Sequence, residues 1–392
     1  MNSEILCRRR LDDSPVLVAW NQHSSVSGNF ETACGPITIK HGLLTGGKSE
    51  GVEVVLVDTG AVRVLLLPSR GMGIWKMWAG HVEIGWASPV DGPVHPSYVP
   101  VMDPDGLGWL EGFDELVVRC GLESNGAPEK HENGTLRYPL HGRIANLPAR
   151  DLRVEVNQET GYVELIGDVV ESKLFFKRLR LTSRAGFFAN SSTVHIIDEV
   201  TNERTVPASM QLLYHINVGV PILANGSTLD IAFDEIAPKD ALSASEIQAW
   251  NQMGTPQSGY GERVYFVVPK ADDANWACAM LSNVDSGIGL GVQFDTRTLP
   301  YFIAWKNTAA NEDGYVLGLE PSTNFPNHRS FEESQGRVVS LAAGETKVFR
   351  ITLHPLTAHD DVDALRRSIQ KQSKDSDQIV RDAPKHDWTA GL

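Results

Sequence analysis

The feature that most constrains this chain is a long series of short β-rich runs. They recur at intervals of roughly ten residues and are punctuated by Gly, Asn, Asp or Pro. "VEVVLVDTGAVRVLLLP" (52–68) holds two such runs around Asp58-Thr59-Gly60, a hairpin signature. "LRVEV" (152–156) alternates apolar and polar residues, turns through "NQETG" and resumes as "YVELIGDVV". The series continues through "KLFFKRLRLTS" (173–183), "TVHIIDEVTNE" (193–203), "MQLLYHINVGV" (210–220), "RVYFVVP" (263–269), "GIGLGVQFD" (287–295), "PYFIAWKN" (300–307), "GYVLGLE" (314–320), "GRVVSLAAGE" (336–345) and "TKVFRITLHPL" (346–356). Helical periodicity is clear only in "DVDALRRSIQKQ" (361–372). The pattern predicts an all-β fold, a large antiparallel β-sandwich with few short helices. Residues 76–148, rich in Pro, Gly and aromatic side chains, read as long loops on that scaffold.

With 392 residues and 42% hydrophobic content, one large β domain can bury a substantial core. The expected organisation is an N-terminal extension over 1–35, a sandwich over 36–358, and a C-terminal helix and tail over 359–392. The net charge of −14 disfavours nucleic acid and anionic membrane surfaces as partners. No run is long enough to span a bilayer. Cys7, Cys34, Cys120 and Cys278 are scattered without metal-ligand spacing, as in a reduced, cytoplasmic protein. Phosphate-loop, zinc-hydrolase and serine-hydrolase motifs are absent, and "GIGLG" (287–291) lies inside a strand pattern with no helix after it.

Several polar residues sit at strand ends or in tight turns. In "LYHINVGVP" (213–221), alternation projects His215 and Asn217 from one face and Tyr214 and Ile216 from the other. Glu320 ends an apolar strand in "GYVLGLEPSTN", where partial desolvation raises a carboxyl pKa. Arg70 closes "LLLPSR" before a glycine-rich turn, either as a fork for oxygen ligands or as a surface cation. "HGRIANLP" (141–148) crowds His141, Arg143 and Asn146 into one turn, and Trp305 and Lys306 end another strand. Each has a plain structural reading: a satisfied histidine, a capping carboxylate, a polar turn, a core tryptophan.

These pieces in this order resemble the galactose mutarotase-like superfamily, the aldose 1-epimerases. The resemblance rests on "LLPSRGMGI", "LHGRIANLP", "VTNERT…YHINVG", "YGERVYFV", "FDTRTLPYFIAWKN", "GLEPSTN" and "AGETKVFRITL", over roughly residues 35–356. It is closer still to a bacterial branch bearing Gly108-Trp109, Gly112 to Leu116, Cys120 to Leu122, Gly126 to Pro128 and Leu140 to Ala149. The resemblance implies a sugar cleft on a concave sheet face, with Glu320 as the base that takes the anomeric hydroxyl proton. His215 is then the acid that protonates the ring oxygen, the two acting across a pyranose. It further implies sugar contacts from His141, Arg70 and, most loosely, Glu262; Asn217, on the face of His215, and Trp305, whose ring can pack on sugar C–H faces, are candidate contacts read from the residues themselves.

Arg143 stands where mutarotases have glycine, and "HINVG" stands where they have "HPYFN". A cation there suits a carboxylate or phosphate on the sugar. The expected partner is a sugar or sugar acid, with no cofactor or metal and a possible homodimer. Two other readings stay open: a non-catalytic carbohydrate-binding protein, and an elimination or epimerisation beside a carbonyl with Arg143 or Lys306 stabilising an enolate.

Overall fold

The computed structural model describes residues 16–20, 26–373 and 377–391; Cys7, most of the stretch 1–25 and residues 374–376 lie outside the described residues. Among those described, the strands form one 15-stranded sheet, one 8-stranded sheet and a two-stranded hairpin. The large sheet runs through Val62–Leu67, Gly73–Ala79, Val117–Leu122, Ala208–Val218, Val316–Ser322, Tyr301–Asn307, Arg263–Pro269 and Phe233–Pro238 in spatial order. The smaller sheet contains Tyr162–Lys173, Lys177–Phe188, Val194–Asn202, Thr346–Leu356 and Ile288–Asp295 as its central neighbours. Pairing is antiparallel throughout, apart from Ile379–Val380, which runs parallel to Phe233–Pro238. Helices are few: Ala241–Ala244, Arg329–Ser334 and the amphipathic His359–Ser373, which buries Val362 and Ile369. No described helix is long and apolar enough to cross a membrane.

The two sheets face each other across a continuous apolar core. Val55, Val64, Leu212 and Tyr214 come from one side, and Leu165, Leu181, Ile196 and Phe349 from the other. A buried polar bridge crosses this core. Arg119 donates Nε to Asp198 Oδ2 at 2.5 Å and Nη2 to Asp198 Oδ1 at 3.0 Å. Its remaining donors reach Met72 O, Gly71 O and Ser183 Oγ, and Tyr214 Oη donates to Asp198 at 2.8 Å.

One part of the sequence reading is corrected here. Within 76–148, read as loops, the strand Val117–Leu122 lies at the centre of the large sheet. All six of its residues are buried, so it has no polar–apolar alternation to betray it. The remaining turns of that segment are ordered rather than extended: Pro96–Tyr98, Gly108–Gly112 and Ile144–Asn146 each form a 3₁₀ turn.

Removing one partner of the Arg119–Asp198 pair strands a buried charge. Asp198→Asn and Arg119→Met are each expected to lower unfolding free energy by about 3–5 kcal/mol in urea titrations. A loss below ~1 kcal/mol would mean that the pair does not hold the sheets together.

Candidate active site

Along Ala208–Val218 the alternation is resolved residue by residue. Tyr214, Ile216 and Val218 enter the core between the sheets. Leu213, His215 and Asn217 face the opposite side of the large sheet, where a second cluster holds Trp86, Trp109, Phe113, Val118 and Val264. The register of Leu213 with Ser322 and Ile216 with Leu319 sets His215 opposite Glu320 on the neighbouring strand. The two side chains touch: His215 Nε2 lies 3.2 Å from Glu320 Oε1, and they are 4% and 2% exposed. The contact is off the line of a hydrogen bond, so Glu320 Oε1 is left without a partner. Gly318 makes room for this carboxylate, since a Cβ there would sit 2.5 Å from Oε1.

The tautomers follow from the neighbours. Asn217 Nδ2 donates to the carbonyls of Glu115 and His215, which points its Oδ1 at His215 Nδ1, 2.6 Å away. His215 therefore carries its proton on Nδ1 and presents Nε2 as a lone pair. His141 donates Nδ1 to the carbonyl of Asn125 at 2.9 Å and likewise presents Nε2. The two rings meet edge to face with centroids 5.5 Å apart. Trp109, Phe113 and Trp305 ring His215 at 6.3, 4.9 and 5.2 Å.

Burial sets the electrostatics. It pushes Glu320 well above the usual carboxylate range, with Glu262 pushing the same way and Lys239 opposing. It drives His215 well below the usual histidine range, helped by His141. His141 keeps an exposed edge, yet its dense surroundings, with Lys239 nearby, lower it to about 4. Both shifts favour the uncharged pair, in which the carboxyl holds the one exchangeable proton. The raised carboxyl is the direction that desolvation at the end of an apolar strand predicts; the same burial moves the histidine the opposite way.

The other expected contacts divide. Trp305 and Glu262 join the site's rim, linked by a 2.7 Å hydrogen bond from the indole Nε1 to Glu262 Oε2. Asn217 acts by holding His215. Arg70, read as a substrate fork, is enclosed in protein: its donors go to Glu115 Oε1, Gly112 O and Asn146 Oδ1. Its surroundings are full because it braces the loop that carries Glu115, whose carbonyl in turn fixes Asn217. Lys306 points to the sheet's other face, near Glu246 and the carbonyl of Ala249. Arg143 forms no hydrogen bond or ion pair with His141, His215 or Glu320; it starts the Ile144–Asn146 turn, bonded through its backbone to Gly121.

Sequence reasoning missed two residues. Lys239 follows Phe233–Pro238 and bonds its N–H to Val264, whose strand partner is Trp305. Two residues beyond Ala237, a member of the site-side cluster, it falls on the site's face. Nothing in "APKDAL" marks it. Trp109 is buried against His141 with its Nε1 unpaired; the Gly108-Trp109 motif was its only signal. Among the described residues no three His, Cys, Asp or Glu side chains gather as metal ligands.

The family described as a domain of unknown function (DUF4432) matches residues 49–354. A candidate aldose 1-epimerase from Klebsiella pneumoniae is 31% identical, with a TM-score of 0.86 over 92% of each chain. A galactose mutarotase-like protein from Clostridium acetobutylicum is 14% identical, with a TM-score of 0.56 over 81% of this chain and 98% of its own. A candidate mutarotase from Salmonella typhimurium is 13% identical, with a TM-score of 0.53 over 84% and 97%. No curated protein matches the chain.

The depressed His141 carries a stability consequence. Between pH 6.5 and about 4 the unfolded chain binds a proton there that the native state does not. Stability should therefore fall as pH drops through that window, by up to about 3 kcal/mol from this group. His141→Gln should flatten the wild-type slope in urea melts taken from pH 7 to 4, and an unchanged slope would reject the assignment.

Proposed function

The chain belongs to the DUF4432 family and to the galactose mutarotase-like superfamily, and from that premise we propose that it is an aldose 1-epimerase-like enzyme interconverting the anomers of a sugar. The observation that carries this reading is the contact pair His215–Glu320 with its single proton. The anomeric oxygen and the ring oxygen are bonded to the same carbon. An acid and a base that serve them must stand side by side on one wall, not face each other across the ring. The 3.2 Å approach supports that arrangement.

In ring opening, one member of the pair accepts the proton of the anomeric hydroxyl and the other delivers a proton to the ring oxygen. The bond from the anomeric carbon to the ring oxygen breaks as the carbonyl forms. Rotation about the adjacent carbon–carbon bond and reclosure give the other anomer. Closure is opening in reverse, so each group serves once as acid and once as base. A pair that shares one proton suits both directions, and the family assignment of Glu320 as base and His215 as acid describes one of them. The bare Nε2 of His141, the indole N–H of Trp109 and the charged ends of Glu262 and Lys239 are suited to sugar hydroxyls. The face of Trp305 is suited to the apolar face of a pyranose.

A second reading is a non-catalytic sugar-binding protein. The near-complete burial of His215 and Glu320 favours it, since a sugar must reach both groups.

Anomer exchange followed by NMR or polarimetry on a panel of aldoses and uronic acids separates the two. Glu320→Gln and His215→Asn are each expected to slow exchange by about 10²-fold or more without loss of sugar binding. Wild-type rates in both variants would remove the pair from the mechanism, and exchange no faster than in buffer, on every sugar that binds, would leave only the binding reading. The rate should lack the inflection of an ordinary histidine near neutrality. It should fall in acid as His215 gains a proton and in alkali as Glu320 loses one. A narrow optimum centred on an ordinary histidine would contradict the shared-proton pair.

A further inference from the structure

Two hollows adjoin on the surface beside the loop of His141, and Arg143 and Met102 line both. The smaller, about 60 Å³, includes Ser124, Gly142, Glu123, Glu171 and Lys177. Its carboxylates are spent: Lys177 bonds both Glu123 and Glu171, and Glu171 also accepts the N–H of Leu122 at 2.8 Å. Ser124 is 1% exposed, and its Oγ has no partner. The larger hollow, about 430 Å³, sets Asn146 among apolar Val99, Pro100 and Leu147. The Oδ1 of Asn146 accepts from Arg70, which leaves its Nδ2 as the donor end of the amide, and that buried Nδ2 has no acceptor. At the junction, the guanidinium of Arg143 makes no side-chain hydrogen bond or ion pair among the described residues.

Three donor groups with nothing to donate to thus line two adjoining hollows, Ser124 in the smaller, Asn146 in the larger and Arg143 in both, on a chain whose net charge is −14. Buried polar groups without partners are costly, so unpaired donors on either side of Arg143 call for a ligand rich in acceptors. A guanidinium fork matches planar or tetrahedral oxyanions. We infer that Arg143, Ser124 and Asn146 form a binding site for the oxyanion of a small molecule, a carboxylate or a phosphate, whose apolar remainder rests on Val99 and Pro100. The site is separate from the His215–Glu320 pair, and its existence does not depend on the anomerase reading.

Calorimetric titration of the full chain with inorganic phosphate and with acetate, in a buffer free of other oxyanions, tests it. Saturable binding of at least one is expected, and the tighter of the two identifies the chemistry. Arg143→Met should weaken that binding by about 10-fold or more, and Ser124→Ala by several-fold. Arg143→Met should leave the melting temperature unchanged, since the side chain bonds to nothing in the protein. His215→Asn should bind as wild type does. No saturable binding of either anion up to about 10 mM, or equal binding by wild type and Arg143→Met, overturns the inference.

Discussion

Arg119 spends its N–H donors inside the sandwich, on Asp198, Ser183 and the carbonyls of Gly71 and Met72. A charge so deep is tolerable only with every donor satisfied. That requirement locks the strand Val117–Leu122 of one sheet against Val194–Asn202 of the other, and Tyr214 joins the same carboxylate from the next strand. Once Tyr214 is pinned inward, the pleat of its strand turns His215 outward. The position of the candidate catalytic pair is in this sense a consequence of the bridge between the sheets.

On the outer face, precision comes from a relay of hydrogen bonds rather than from packing alone. Arg70 holds Glu115, the carbonyl of Glu115 holds Asn217, and Asn217 sets the tautomer of His215. Arg70 thus contributes to the site from a distance, by positioning. The desolvation that divides the pKa values of His215 and Glu320 would be unfavourable for either group alone. Sharing one proton lets both stay uncharged.

The sandwich was legible because half-buried antiparallel strands alternate, as Val194–Asn202 does throughout and Tyr162–Lys173 does over much of its length. The central strand with Arg119 was not, because burial on both faces erases the period. His215, Asn217 and Glu320 could be singled out because each interrupts an apolar run. Their mutual contact could not, since it depends on pairing between strands a hundred residues apart. Arg70 was misread for a similar reason. A strand-end arginine looks the same in sequence whether it meets solvent or a buried carboxylate. Lys239 had no signal at all, because its relevance comes only from the sheet order that sets Phe233–Pro238 two strands from Trp305.

Gly318 and Glu320 lie two residues apart on one face of one strand, and the space above the glycine is filled by the carboxylate of the glutamate. Neither position can drift alone. A side chain at 318 displaces the acid at 320 and presses on Trp305, whose Cβ and Cε3 lie 3.1 and 3.2 Å from where its Cβ would stand. The two sites should therefore evolve as a coupled pair. A homologue that has given up the acid loses the sharper of the two constraints on 318 and keeps only that of Trp305, so the pair of letters would distinguish relatives that keep this chemistry from those that retain only the fold.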